Sequence, residues 1–235
     1  MEAAFQIASS GGEESAHALF ELGPIPITSW MVTMWGIMIL LIVLSVFATK
    51  NMKMVPKGLQ NAMEYVVEGL TGFFAGMMGK ERAKRYGPLL ITFFIFILIS
   101  NYSGMLPFSG HLPGLAAPTS VFNVTVGLAI IVFFATHING FRVNKVHYLK
   151  HFVTPFAFLL PLLLIEEVVR PFSLAMRLYG NIYGEEMVVS QLFNLVPLGV
   201  PVVMQLLGVL FGLIQAFVFT LLSAIYISQA TETSH

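Results

Sequence analysis

The sequence of 235 residues contains no cysteine and few charged residues. Without cysteine there is no disulfide bond, no thiolate metal site and no cysteine nucleophile. Lys, Arg, Asp and Glu make up 10% of the residues, against roughly 25% in soluble domains, which is too little to cover a soluble core of this size. The 12 basic and 12 acidic residues cancel, so no net charge points to nucleic acid as a partner. A hydrophobic content of 57% excludes a disordered chain.

Long apolar segments take the place of the missing charge, and the mean hydropathy is +0.82. About 20 helical residues cross the hydrocarbon layer of a membrane. The apolar segments predict an all-α polytopic membrane protein with a single membrane domain and about five transmembrane helices. Their predicted bounds are 29–49, 88–106, 120–138, 152–194 and 200–228. The last two exceed a perpendicular crossing, so we expect a long tilted hairpin with its turn at NLVPLGVP, residues 194–201.

One further helix is predicted at residues 57–79, between the first two spans. Gln60, Glu64 and Glu68 alternate there with apolar residues at helical spacing. Such a pattern is typical of an amphipathic helix that lies in the membrane interface rather than crossing it.

The basic residues predict the orientation of the chain. Ten of them fall on one side of the five-span arrangement: Lys50, Lys53, Lys57, Lys80, Arg82, Lys84, Arg85, Arg142, Lys145 and Lys150. The opposite loops and the N-terminal segment contain none. By the positive-inside rule the basic side is cytoplasmic, so residues 1–28 are external and the tail 229–235 is cytoplasmic. No cleavable signal sequence is evident.

Charged residues inside the fourth span are the most informative feature, because each costs at least a few kcal/mol in a bilayer. They include Glu167 and Glu186, together with a stripe at steps of three, four or seven: Glu166, Arg170, Ser173, Arg177, Asn181 and Glu185. The reverse face is apolar: Val168, Val169, Phe172, Met176 and Ile182. A polar stripe of this kind requires a partner surface or a water-filled cavity.

Several of these residues have two readings. Glu166 and Arg170, at i and i+4, either neutralise each other or take part in ion conduction. Asn181 either joins two helices or lines an ion path, and Glu185 and Glu186 either lie there or are solvated at the outer interface. Arg177 has no acidic residue within four positions and cannot lose its charge by deprotonation, so a functional role is favoured.

The fifth span carries a matching face at helical spacing: Gln205, Gly208, Gly212, Gln215, Phe219, Ser223 and Tyr226. Gly208 and Gly212 allow a neighbouring helix to approach closely. Gln215 is an amide that needs hydrogen-bond partners, and it is placed to line the same path as the fourth span's stripe.

Weaker candidates lie on the outer side, where Asn101, Ser120 and Asn123 either admit water or cap helix ends. His111 and His137 were interpreted as incidental loop histidines. No phosphate-binding loop, zinc spacing or catalytic triad is present in the sequence, so no cofactor, no metal and no catalytic residue is predicted.

Around Arg177 the segment SLAMRLYGNIYGEE, residues 173–186, resembles subunit a of the F-type ATP synthases. Four further segments resemble the same family in the same order: VPKGLQNAMEYVVEGL (55–70), SNYSGMLP (100–107), PTSVFNVTVGLA (118–129) and GLIQAFVFTLLSAIYIS (212–228).

The resemblance implies a stator that lies beside a rotating ring of c subunits, each with one carboxylate. Two offset half-channels, each reaching only part-way across the membrane, would pass H⁺ or Na⁺ to and from these carboxylates on either side of Arg177. The family positions associated with the ion path correspond to Asn181, Glu185, Glu186 and Gln215. The implied partners are the c ring, the peripheral-stalk b subunits, the rest of the complex and membrane lipid, in a bacterial plasma membrane.

One departure from the family pattern concerns Gly208. Some members have a histidine at this position and a glycine where this chain has Glu185. The carboxylate is therefore predicted to have moved to the fourth span, with the glycine opposite making room for it.

Two other functions stay open at the level of the sequence. A stand-alone secondary transporter would use the stripe to bind an anionic solute, although no inverted repeat supports this. A structural scaffold would use the charges only to join helices.

Overall fold

The computed structural model describes residues 18–22, 25–50, 52–105, 116–153, 160–195 and 199–232. These residues form two short strands, one 3₁₀ turn at Pro118–Ser120 and six α-helices. The helices are α1 (Ser29–Thr49), α2 (Leu59–Met78), α3 (Lys80–Ser103), α4 (Phe122–Val153), α5 (Leu160–Leu195) and α6 (Val200–Ala230). Most of the predicted external segment, residues 196–198 of the predicted turn and residues 233–235 of the tail lie outside the described residues.

The strands β1 (Ala18–Leu22) and β2 (Ile25–Thr28) form an antiparallel hairpin just before α1. From the sequence, residues 1–28 were predicted only as an external segment, with no strand assigned to them. The unused signal is the alternation of apolar residues in ALFEL and IPIT on either side of Gly-Pro, which is typical of a hairpin.

The helices extend beyond several of the predicted spans. α3 begins at Lys80 rather than at residue 88, and α4 continues to Val153 rather than ending at residue 138. Charged residues such as Lys and Arg are good helix formers, so a helix continues past its apolar part into a polar environment. Gly79, with φ of 84°, marks the corner at which α2 ends and α3 begins, a conformation that favours glycine.

Among the described residues, four helices are long and apolar enough to span a membrane: α1, α3, residues 122–143 of α4, and residues 202–230 of α6. The prediction of an all-α polytopic membrane protein is thereby confirmed. α5 has 36 residues, about 54 Å of helix, but carries too many charges to qualify by composition, so the fifth crossing stays a prediction. α2 is not among the four, and its interfacial position likewise stays a prediction.

The interior consists of two apolar clusters joined by α3 and α6. One joins α3, α4, α5 and α6 through residues that include Ile97, Val132, Leu178 and Phe219. The other packs α2 against α3 and α6, with Phe74 and Leu90 at its centre. α1 makes few contacts, and most of its apolar residues are exposed, as expected for a helix that faces lipid or another chain.

α5 and α6 pack against each other in antiparallel directions. Arg170 contacts the ring of Tyr226, Asn181 contacts Gln215, and Glu185 contacts Gly208, so the position on α6 falls as the position on α5 rises. Gly199, with φ of 88°, immediately precedes α6. This pairing brings the polar stripe of α5 against the small-residue face of α6.

Candidate functional site

The candidate site is built on α5, whose two faces differ sharply. Its inner face is buried in the core through Leu174, Ala175, Leu178 and Tyr179. The apolar residues that were predicted for the reverse face are exposed, except for Ile182, which is 3% exposed and belongs to the core. Ile182 follows Leu178 by four positions and Tyr179 by three, so it lies on the buried face and packs against apolar residues.

Arg177 lies at the midpoint of α5, and its side chain is exposed. It makes no hydrogen bond and no ion pair with any residue in the described ranges. The neighbouring Gly180 and Asn181 are exposed on the same side. In a helix packed this closely on α4 and α6, an uncovered guanidinium that cannot deprotonate leaves a place for a partner with negative charge.

Asn181 connects the exposed stripe with the interior. Its Nδ2 donates a hydrogen bond of 3.4 Å to Oε1 of Gln215, which is 4% exposed. The structure therefore places Gln215 opposite the stripe, and Asn181 joins two helices while remaining accessible.

Glu185 lies against Gly208 of α6. The Glu185 carboxyl occupies the space where residue 208 would carry its Cβ, so any other residue at 208 would overlap it. Gly212, one turn further along α6, receives a different neighbour, because the side chain of Asn101 from α3 contacts it and donates a 2.9 Å hydrogen bond to its carbonyl oxygen. Gly208 thus makes room for a side chain of α5, and Gly212 makes room for a side chain of α3.

Glu186 points away from Glu185, towards the end of α3. Its Oε1 lies 2.9 Å from the position that a Cβ on Gly104 would take, and its carboxyl neighbours the Ser120 hydroxyl. Both adjacent carboxyls are therefore accommodated by a glycine on another element.

A cavity of about 50 Å³ lies between the two carboxyls, where α3, α5 and α6 meet. It is lined by residues that include Asn101, Gly104, Glu185, Glu186 and Gln205. Asn101 Oδ1 and Glu185 Oε2 are buried and lack a hydrogen-bond partner among the described residues. A water needs roughly 10–15 Å³, and buried polar atoms usually bond to water, so this cavity suits several water molecules.

A second cavity, of about 20 Å³, lies at the other end of the stripe between α4, α5 and α6. Arg170 donates a 2.6 Å hydrogen bond to Glu166 Oε1 and lies 3.7 Å from Glu167 Oε1. The predicted pairing of Glu166 with Arg170 is present, and Glu166 is exposed. The polar lining also includes Thr136 and His137 of α4 and Tyr226 of α6.

Two sequence interpretations change at these cavities. Asn123 is exposed near the start of α4 and lines neither cavity, unlike Asn101. His137, interpreted as an incidental loop residue, lies inside α4 with Nε2 3.8 Å from Glu167 Oε2. The only signal in the sequence was its place one residue before the end of the predicted span 120–138, which does not reveal the partner.

The arrangement consists of a fixed positive charge between two separate polar cavities. Along α5, Arg177 lies about 15 Å from Glu167 and about 12 Å from Glu185. Buried apolar residues, among them Leu174 and Leu178, occupy the inner face between the cavities. In the part of the chain that the structure describes, no group of three or more His, Asp or Glu side chains could hold a metal ion.

Comparison with known proteins assigns the chain to a family. A family model described as "ATP synthase A chain" matches residues 31–228, which includes both cavities and Arg177. The chain belongs to the ATP synthase A chain family. The resemblance predicted from the five sequence segments is thus confirmed.

Individual relatives support the assignment over most of the chain. "ATP synthase subunit a" of Trichlorobacter lovleyi is 44% identical over 205 residues, which are 86% of each chain. The protein of the same name from Geobacter sulfurreducens is 43% identical over the same shares. That of Moorella thermoacetica is 44% identical over 89% of this chain and 94% of its own.

The packing around Gly104 predicts that a side chain at this position lowers the stability of the fold. A Cβ on Gly104 would lie 2.8 Å from Ala117 Cβ and 2.9 Å from Glu186 Oε1. Because Ala117 is buried, we expect Gly104→Ala to lower the free energy of unfolding by about 1–3 kcal/mol. Gly127→Ala is the matched control, because nothing lies within 4 Å of its added Cβ and alanine favours the helix. Unfolding of the purified chain in detergent, followed by circular dichroism, tests this. Equal midpoints for the two variants would contradict it.

Proposed function

We propose that this chain is the membrane stator of an F-type ATP synthase. In this function it passes H⁺ or Na⁺ to and from the carboxylates of a rotating ring and so couples ion flow to rotation and ATP synthesis. The observation that carries the proposal is the exposed, unpaired guanidinium of Arg177, midway along α5 and between two separate polar cavities. The chain itself is not catalytic in this function.

The exposed face of α5 would receive the ring. A carboxylate that stops opposite Arg177 is favoured in its ionised form, because a nearby cation stabilises the charge. The exposed apolar residues Val169, Phe172 and Met176 would contact the ring helix above and below it. Once the ring turns, the carboxylate leaves Arg177 and must be neutralised before it meets lipid.

The two cavities would belong to the two half-channels. With the basic loops cytoplasmic, the cavity at Glu185 and Glu186 faces the outer side, and the cavity at Glu167 and Arg170 faces the cytoplasm. Asn181 and Gln215 lie between the outer cavity and Arg177, where they would hand the ion towards the ring. An ion moving directly between the cavities would have to pass the charge of Arg177, which repels it.

The proposed surroundings follow from the same arrangement. The chain would lie in a bacterial plasma membrane, with its N-terminus outside and its C-terminus in the cytoplasm. Its partners would be the c ring, the peripheral-stalk b subunits and the remainder of the complex. Nothing in the fold or in the family favours the alternative of a stand-alone transporter of an anionic solute.

Reconstitution into liposomes separates a stator from a transporter. We expect the chain alone to give no H⁺ or Na⁺ flux above that of empty liposomes under an imposed membrane potential. Flux is expected when the chain is reconstituted together with the ring and the b subunits. A pH-sensitive dye and ²²Na⁺ uptake report the two ions. Flux or solute uptake by the chain alone would overturn the proposal.

A further inference from the structure

The imidazole of His137 lies at a junction of three helices. It lines the cavity of about 20 Å³ together with Glu167 and Arg170 from α5 and Tyr226 from α6. These are the titratable and charged groups of the packed helices that line this cavity among the described residues. His137 and Glu167 each keep 20% of their side-chain surface exposed, so this chain does not fully enclose the junction.

One ring nitrogen of His137 is held in a defined state. Nδ1 lies 2.9 Å from the carbonyl oxygen of Phe133, one turn earlier in α4. A carbonyl oxygen only accepts hydrogen bonds, so Nδ1 carries a proton and donates it. In the neutral imidazole the lone pair is then on Nε2, the nitrogen that faces Glu167.

Nε2 and the Glu167 carboxylate are therefore both acceptors when neither holds a proton. Their separation of 3.8 Å is favourable only if one proton is present, either on the carboxyl or on the imidazole. The distance exceeds that of a direct hydrogen bond, and the cavity has room for one bridging water of roughly 10–15 Å³. The pair thus holds one exchangeable proton.

Arg170 stabilises the form of the His137–Glu167 pair in which Glu167 is ionised. Glu167 lies 3.7 Å from the Arg170 guanidinium and 3.8 Å from His137, so one carboxylate faces both a fixed cation and an imidazole. Arg170 is also held by Glu166 and lies over the Tyr226 ring, and it cannot release a proton. Glu167 therefore stays ionised beside Arg170 whenever its proton moves to His137.

We propose that His137 carries protons between the Glu167 cavity and the cytoplasmic solution. The proposal rests on the stator function above and adds a residue to its cytoplasmic half-channel. A proton leaves the Glu167 carboxyl, crosses the bridging water and bonds to the Nε2 lone pair, which turns a neutral pair into carboxylate and imidazolium. Release of the Nε2 proton to the solution then returns the imidazole to its neutral form, and the reverse sequence brings protons in.

The position of His137 fits this direction of transfer. It lies near the end of the apolar part of α4, which ends at Val143, and the exposed Arg142 follows about one turn later. Arg177 lies on the other side of Glu167 along α5, about 15 Å away.

The test uses the whole complex in inverted membrane vesicles, with His137→Gln and His137→Ala. A positioned proton carrier speeds its step by about 10²–10⁴-fold, and because other steps also limit turnover we expect about a tenfold loss of ATP-driven acidification. The loss should appear in both variants at equal amounts of assembled complex. Imidazole added to His137→Ala should restore the ATP hydrolysis that is coupled to pumping, whereas pyrrole, of the same size but unable to accept a proton, should not. Coupled hydrolysis is measured here because imidazole crosses membranes as a weak base and would itself neutralise an acidified vesicle.

Asn139→Ala is the matched control. Asn139 lies two residues further along α4 and makes the same kind of hydrogen bond to its own backbone, Nδ2 to Ala135 O at 2.7 Å, but it does not line the cavity. We expect it to pump as the wild type does. Pumping by His137→Gln at the wild-type rate, or rescue by pyrrole as well as by imidazole, would overturn the role of His137. The stator function would survive either result, since it is tested by reconstitution without any change at His137.

Discussion

Replacing Arg177 by alanine is expected to abolish ATP-driven acidification of inverted membrane vesicles while the soluble head continues to hydrolyse ATP. At about 4 Å and an effective dielectric constant of about 20, two opposite charges attract by about 4 kcal/mol, which corresponds to about 10³-fold in the ionised population of the ring carboxylate. Arg177 has no partner among the described residues of its own chain, so no broken ion pair within the chain offsets the lost attraction to the ring carboxylate.

The comparison requires equal amounts of assembled complex in the membranes. Arg142→Ala is the matched control, because it removes one exposed positive charge from α4, outside the stripe. We expect this control to pump normally. If an intact complex with Arg177→Ala also acidified its vesicles at a normal rate, the stripe would be structural, and the scaffold interpretation would replace the stator. Where the wild type itself moves no protons, sodium uptake replaces acidification as the measured quantity.

The second large effect is expected at the contact of Glu185 with Gly208. A Cβ at residue 208 would overlap the Glu185 carboxyl, and that carboxyl lines the outer cavity. We therefore expect Gly208→Ala to displace the carboxylate and to lower ion transport by about ten- to a hundredfold, as displaced proton-transfer groups generally do. Glu185→Gln, which keeps the shape but removes the charge and the exchangeable proton, should be similarly impaired.

An exchange of the two positions distinguishes a transport role from simple crowding. In the double variant Glu185→Gly with Gly208→His, the titratable group sits on α6 and the small residue on α5, so we expect transport to recover well above that of either single variant. Gly36→Ala in α1 controls for the added methyl group, since nothing lies within 4 Å of its Cβ. Normal transport by Glu185→Gln, with an unchanged pH dependence, would make Glu185 a bystander.

The sequence was informative wherever a single helix carried the signal. The steps of three, four and seven placed Arg177 and Asn181 on one side of α5, and both are exposed there. The glycine opposite Glu185 was also predictable from the family pattern. Members with a histidine at position 208 have a glycine at position 185, so the larger Glu185 is paired with the smaller Gly208 here. Helical periodicity thus defines the faces of each helix, whichever neighbour it packs against.

What the sequence did not reveal depends on how three helices meet. His137 and Glu167 are 30 positions apart on different helices, and no periodicity within either helix indicates that they touch. The cavities arise from the packing of α3 or α4 on the α5–α6 pair, and Gly104 belongs to the outer cavity only because Glu186 points that way. The extensions of α3 and α4 were missed because hydropathy measures apolar length rather than helix length.

The apolar layer of Leu174 and Leu178 between the two cavities also has a consequence for the order of assembly in the cell. Any continuous aqueous passage discharges the voltage across a membrane. An unassembled subunit with such a passage would therefore dissipate the voltage that the assembled complex uses. These leucines are buried on the inner face, and Arg177 carries its charge on the exposed face. In the proposed stator we therefore expect copies that await their partners not to conduct ions. The chain could then be inserted early, or in excess, without lowering the membrane potential.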